Sequence, residues 1–123
     1  MLPRSKFDIE RAKQLSNLGL PTLEPYLGEL FTWLQDGNWP VAPPVASFLR
    51  SLGLVIVPHV RKILQGKDDI WKMWVLRFII DTDDLVVANT LRDEIERIAK
   101  NPTQGESIEG AQAIAREIWE KLN

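Results

Sequence analysis

Apolar positions recur three and four residues apart along almost the whole chain, and no stretch alternates with a period of two. That pattern predicts helices throughout and no sheet. It resolves into seven segments. The first is led by Ser5-Lys6-Phe7-Asp8, which has the spacing of a capping box, and carries Phe7, Ala12, Leu15 and Leu18 on one side. Gly19 is placed to end it in a left-handed conformation. The second segment, 21–35, puts Leu23, Tyr26, Leu27, Leu30, Phe31, Trp33 and Leu34 on one broad face, and Asp36-Gly37-Asn38 breaks it with turn chemistry. Pro40, Pro43 and Pro44 follow. A proline lacks an amide donor and is comfortable only in a first helical turn, so the third helix is expected to start irregularly and run regularly over 43–52.

The fourth helix, 54–64, turns Ile56, Val57, Val60, Ile63 and Leu64 inward and holds His59 and Arg61 at its margins. A sixth, capped somewhere in Asp81-Thr82-Asp83-Asp84, is marked by Val87, Leu91, Ile95 and Ile98 and stopped by Asn101-Pro102. The seventh starts at Thr103-Gln104-Gly105-Glu106 or Ser107 and keeps Ile108, Ala111, Ala115, Ile118 and Leu122 in register. Between them lies the stretch around which the rest is expected to form. Over 70–80, IWKMWVLRFII, only Lys72 and Arg77 are charged, and Trp71, Trp74 and Phe78 point away from Val75, Leu76, Ile79 and Ile80. Such a helix calls for protein on both sides.

The segments repeat. Leu18-Gly19-Leu20 returns as Leu52-Gly53-Leu54 at a shift of 34, Pro25 as Pro58 at 33 and Trp39 as Trp71 at 32, with a fainter third copy in which Ile63-Leu64-Gln65-Gly66 is answered by Ile98-Ala99-Lys100-Asn101 at 35. Each unit is two helices joined by a short turn, and stacking the units buries faces that neither helix could bury alone. On these residues the chain resembles the HEAT-like repeat proteins. On Leu34-Gln35-Asp36, Asn38-Trp39-Pro40-Val41-Ala42, Val57-Pro58-His59-Val60-Arg61-Lys62-Ile63-Leu64, Trp71-Lys72-Met73-Trp74 and Ala99-Lys100-Asn101-Pro102-Thr103, it is similar to short bacterial HEAT-like domains known as a domain of unknown function. The resemblance implies an all-α fold, a short right-handed α-α superhelix of about seven helices forming a single domain over 1–123. It also implies that the second helix of each pair, at 41–52, 70–80 and 107–122, lines a concave side. It implies no activity.

Composition agrees with a soluble globular domain: 123 residues, 45% apolar and 26% charged, with five Trp and four Phe for the core. The absence of Cys excludes disulfides, thiolate metal sites and a Cys nucleophile. The opening MLPRSKFDIERAK becomes charged before an apolar run can form, and no apolar run reaches the length of a membrane helix. A cytoplasmic, monomeric protein without membrane contact is therefore expected. The net charge of −2 divides unevenly, with −1 over residues 1–49, +4 over 50–80 and −5 over 81–123.

Candidate chemistry is sparse. His59 is the only histidine, with no carboxylates at metal-ligand spacing, and it reads as a residue hydrogen-bonded near a helix start. No serine sits in a nucleophile elbow. Asp81, Asp83 and Asp84 lack the Gly and distal Glu of an EF-hand loop and read as helix caps. Trp39 and Trp71 occupy matching places in two repeats and are expected to pack the repeat junctions. Lys72 and Arg77 must either reach solvent or find a carboxylate such as Asp68, Asp69 or Glu109, and with Arg50 they could form a basic strip. The reading is of a non-catalytic protein-binding module with no metal and no cofactor, using the concave face and its turns through Asp36, Asn38, Trp39, Arg50, His59, Lys72 and Arg77. The alternative is a grip on nucleic-acid backbone by the basic strip, disfavoured by the acidic last third.

Overall fold

A computed structural model describes residues 2–123, and among these the secondary structure is helical with no strand. All seven expected segments are helical, and most are broken rather than continuous. The first is α1 (Ile9–Lys13) followed by a 3-10 turn, Leu15–Asn17. Its cap is Asp8, not Ser5: the Asp8 carboxylate accepts from the amides of Arg4 and Arg11, while the Ser5 hydroxyl is occupied by the amide of Phe7. Phe7 accordingly lies outside the helix and in solvent.

The second segment is divided by Pro25 into α2 (Leu20–Leu23), a 3-10 turn and α3 (Leu27–Thr32). Gly19 does take a positive φ, 78°, but as the residue that opens α2; its repeat partner Gly53 does the same at 63°. α4 (Ala42–Arg50) has its prolines in the first turn, where no amide is missed. The 3-10 turn Gly53–Ile56 leads into α5 (Val57–Leu64), with Pro58 likewise at its start.

α6 (Asp69–Val75) is capped by Asp68, whose carboxylate accepts from the Trp71 amide at 3.0 Å, and it continues as one π-helical turn, Leu76–Ile80. This stretch is fully buried on one side and only half-covered on the other. Val75, Leu76, Ile79 and Ile80 are buried, whereas Ile70 is 45% exposed, Arg77 lies in solvent and Trp74 is half-buried. The expectation of cover on both sides fails because the outer side has no helix against it. The sixth segment divides at Leu91 into α7 (Val86–Thr90) and α8 (Arg92–Lys100), and the seventh divides at Gly110, φ 94°, into α9 (Gln104–Ile108) and α10 (Ala111–Leu122). That break turns Ile108 out to 70% exposure, whereas Ala111, Ala115 and Ile118 are buried as expected.

The long helices pack pairwise on one another. α10 lies along α8 and also against α6 and its π turn, and the π turn in its other direction meets α4. α3 meets α5, and Arg61 of α5 donates to Glu94 of α8 at 2.8 Å. Trp119 of α10 lies beneath the Arg92 guanidinium and the Lys100 ammonium, a cation–π clasp between the last two long helices.

One polar cluster is buried in this stack. Thr103 caps α9 with its hydroxyl on the Glu106 amide at 3.1 Å, and Glu106 answers by accepting from the Thr103 amide at 2.8 Å, a complete capping box. The Glu106 carboxylate, 0% exposed, also accepts from Lys72 Nζ at 2.9 Å and from both terminal nitrogens of Arg97 at 2.5 and 2.6 Å. Lys72, 2% exposed, completes its shell with Asp69 at 3.0 Å. Burial alone would raise the Glu106 pKa, but the Arg97 guanidinium, the Thr103 amide and the Lys72 ammonium outweigh it and bring it from 4.5 to about 2. Glu106→Ala would leave Lys72 buried beside Asp69 alone and is expected to cost about 3–5 kcal/mol in denaturant unfolding. Because the folded-state pKa is depressed, this stabilisation is complete above pH 4.5 and disappears as the pH falls toward 2. The denaturant midpoint should therefore fall across that window in the native chain, and the fall should be shallower in Glu106→Gln.

Candidate functional site

Three of the expected site residues belong to the turn between α3 and α4. Asp36 Oδ1 accepts from the Asn38 amide at 2.9 Å, and the Asp36 carbonyl accepts from the Trp39 amide at 3.1 Å. The Asp36 side chain thus closes its own turn. Asn38 projects into solvent, while Trp39 sets its ring edge-on to Trp33 at 6.1 Å and 72° and is half-buried against the core.

Gly37 at the centre of this turn supports the outer side of α6. Trp74 and Phe78, one helical turn apart, stack at 5.6 Å and 19°, and a Cβ on Gly37 would run into both rings. Only a residue with no side chain lets the turn lie flat against them. Both rings stay half-exposed, and Arg77 beside them is in solvent. Arg50 of α4 reaches across to donate to the carbonyl of Phe78. The turn at 36–40, Trp74 and Phe78 therefore adjoin, with Arg50 bonded to the Phe78 backbone and Arg77 exposed on the same helix.

Lys72 is not among them. Seated in the pair with Glu106 and Asp69, it cannot join Arg50 and Arg77, so the three-residue basic strip is not assembled. Of its expected partners the structure selects Asp69 and adds Glu106, which the capping role of Thr103 swings inward.

His59 is separate as well. Its ring stacks on Phe31 at 5.8 Å and 18°, and among the described residues it makes no hydrogen bond, contrary to the expected contact near a helix start. It forms the wall of a groove of about 270 Å³ between α3, α5 and the start of α6. The floor is Phe31, Ile63 and Trp71; the Trp71 indole N–H is held by the Phe31 carbonyl at 3.0 Å, which fixes that ring in place. Trp71 thus ties α6 to α3 and also presents a face to the groove.

The sequence reading missed Trp74 and Phe78 as surface residues because it enclosed their helix. It missed the groove too, although one signal was present: Gly28 lies on the exposed, polar side of the second segment, and a glycine costs a helix about 1 kcal/mol relative to alanine. Among the described residues no three His, Asp or Glu side chains are grouped so as to hold a metal ion, and no helix is long and apolar enough to cross a membrane.

The chain matches, over residues 1–119, the family described as Domain of unknown function (DUF5071), and it belongs to that family. Comparison with curated proteins returns no match. Gly37→Ala, which forces a methyl group into the Trp74–Phe78 stack, is expected to destabilise the fold by about 1–3 kcal/mol. A change in near-UV circular dichroism, reporting displaced aromatic rings, should accompany the loss.

Proposed function

We propose that this chain is a non-catalytic protein-binding module, a short HEAT-like stack that meets its partner through the turn at 36–40 and the outer side of α6. The observation that carries this reading is the Trp74–Phe78 stack, half-exposed on a rigid helix and flanked by Arg77. Trp and Arg are the residue types that dominate interface energetics, and rings already locked by stacking lose little entropy on binding. The HEAT-like reading is supported by the packing of α4, α6 with its π turn, and α10 as successive neighbours, and by the positive-φ glycines at 19 and 53. In this reading the helix pairs wind right-handedly, α6 belongs to the concave row, and the protein acts as a cytoplasmic monomer.

Arg77 and Arg50 suit a partner with a carboxylate at its contact point. A nucleic-acid grip has less support: its third cation, Lys72, is engaged inside the fold, and residues 81–123 carry −5. Phosphate binding normally leaves a domain clearly basic.

The test is capture of partners from an extract of the source organism with the native chain, Arg77→Glu and Trp74→Ala. Because Trp74 is half-exposed, its truncation should cost less than the roughly 3–5 kcal/mol of an enclosed aromatic, leaving the variant folded. Each change is expected to weaken binding to the captured partner by more than about tenfold. Equal capture by all three proteins, or a salt-dependent affinity for duplex DNA lost in Arg77→Glu, would overturn the proposal.

A further inference from the structure

We propose that the groove between α3, α5 and the start of α6, lined by residues separate from those of the surface just described, is a binding site for a small aromatic carboxylate. Its shape comes first. The floor is aromatic and aliphatic, and two of its walls are pinned: His59 by stacking on Phe31, and Trp71 by its indole hydrogen bond to the Phe31 carbonyl. Walls that are already fixed do not have to be ordered by a ligand, which favours binding. A volume of about 270 Å³ lies just below the usual range for ligand pockets and suits a molecule with one ring system rather than a nucleotide or a folded segment.

The groove is open because of Gly28. This residue sits inside α3, and a Cβ there would meet only the His59 ring nitrogen at 3.9 Å, an ordinary contact. Nothing in the packing of the fold requires a glycine at this point, and alanine would serve the helix better. What glycine does provide is the unfilled space over Phe31 and His59.

Charge selects among apolar ligands. Lys62 and Lys67 stand at the rim, both in solvent and among the described residues without a carboxylate partner. The one acidic lining residue, Asp68, has Oδ1 committed to the Trp71 amide as the cap of α6. The rim therefore offers two free ammonium groups above a floor of rings. An anion attached to an aromatic ring satisfies both parts, the ring against Trp71 and Phe31 and the carboxylate against the lysines.

The experiment uses amide NMR of the full chain titrated with phenylacetate and indole-3-acetate, with 2-phenylethanol as the uncharged control. Saturable shifts are expected at Gly28, at the amides of 66–68 and at the Trp71 indole N–H. The uncharged control should bind at least about tenfold more weakly, since a hydrogen bond to a charged group contributes about 1.5–3 kcal/mol. Gly28→Leu should fill the groove and abolish binding, with Gly28→Ala as the folded reference. Should Gly28→Leu fail to fold, the decision passes to the exposed pair Lys62→Glu and Lys67→Glu, which should lower affinity for the acids by more than tenfold and leave the control unchanged. No saturable shift with either acid, equal affinity for the uncharged control, or binding that survives in the folded Gly28→Leu variant or in the lysine pair would overturn the proposal.

Discussion

A carboxylate with no access to water holds the middle of this protein to its C-terminal third. Glu106 lies on a five-residue helix too short to be stable alone, and its oxygens are shared among the Thr103 amide, Lys72 of α6 and Arg97 of α8. Removing an ionised group from water is costly, and the expense is tolerable only where every lone pair is used. Here the geometry supplies that. One residue therefore fixes where α9 begins, where α8 ends and how α6 is rotated. The rotation of α6 has a second consequence: with Lys72 turned inward, Trp74, Arg77 and Phe78 are carried to the outside.

The number of helical segments, their approximate limits and most of the core were readable from spacing alone. Ala12, Leu15, Leu30, Phe31, Val60, Leu64, Ile95, Ile98 and Ile118 are all buried where the period near 3.6 placed them. Spacing could not show the breaks, because these depend on individual residues. Pro25 divides one segment, Gly110 another, and at Leu91 the backbone leaves helical values with neither a proline nor a glycine present. Nor could spacing say which side of an apolar helix lacks a neighbour. Trp71, Trp74 and Phe78 look equally buried in one dimension; Trp71 finds the Phe31 carbonyl, whereas Trp74 lies against Phe78 and the Gly37 turn and stays half-exposed.

The candidate site was legible in the same uneven way. Asp36, Asn38 and Trp39 do share one turn, and Arg50 and Arg77 lie near it, because turn chemistry and helix phase are local properties. Lys72 went astray because its partner is 34 residues away and presented by a capping box whose internal geometry, not its sequence, aims Glu106 inward. The groove at His59 joins residues from three elements. Its only local sign is Gly28, a helix-weakening residue whose effect becomes intelligible once His59 and Phe31 are seen beside it. The aromatic surface at Trp74 and the groove are built from different residues, so Trp74 or Arg77 can be changed without touching the lining of the groove.

The central claim is that Lys72 and Glu106 act as one unit on which the arrangement of α6, α8 and α9 depends. A double-mutant cycle tests it most directly, with Lys72→Met, Glu106→Gln and the double variant compared in denaturant unfolding. Each single change leaves a buried group without its partner, so the two costs should not add. The account predicts that the double variant is more stable than the sum of the single losses implies, by about 1–3 kcal/mol. Additive losses, within about 0.5 kcal/mol, would contradict it and show that the two side chains hold the fold independently.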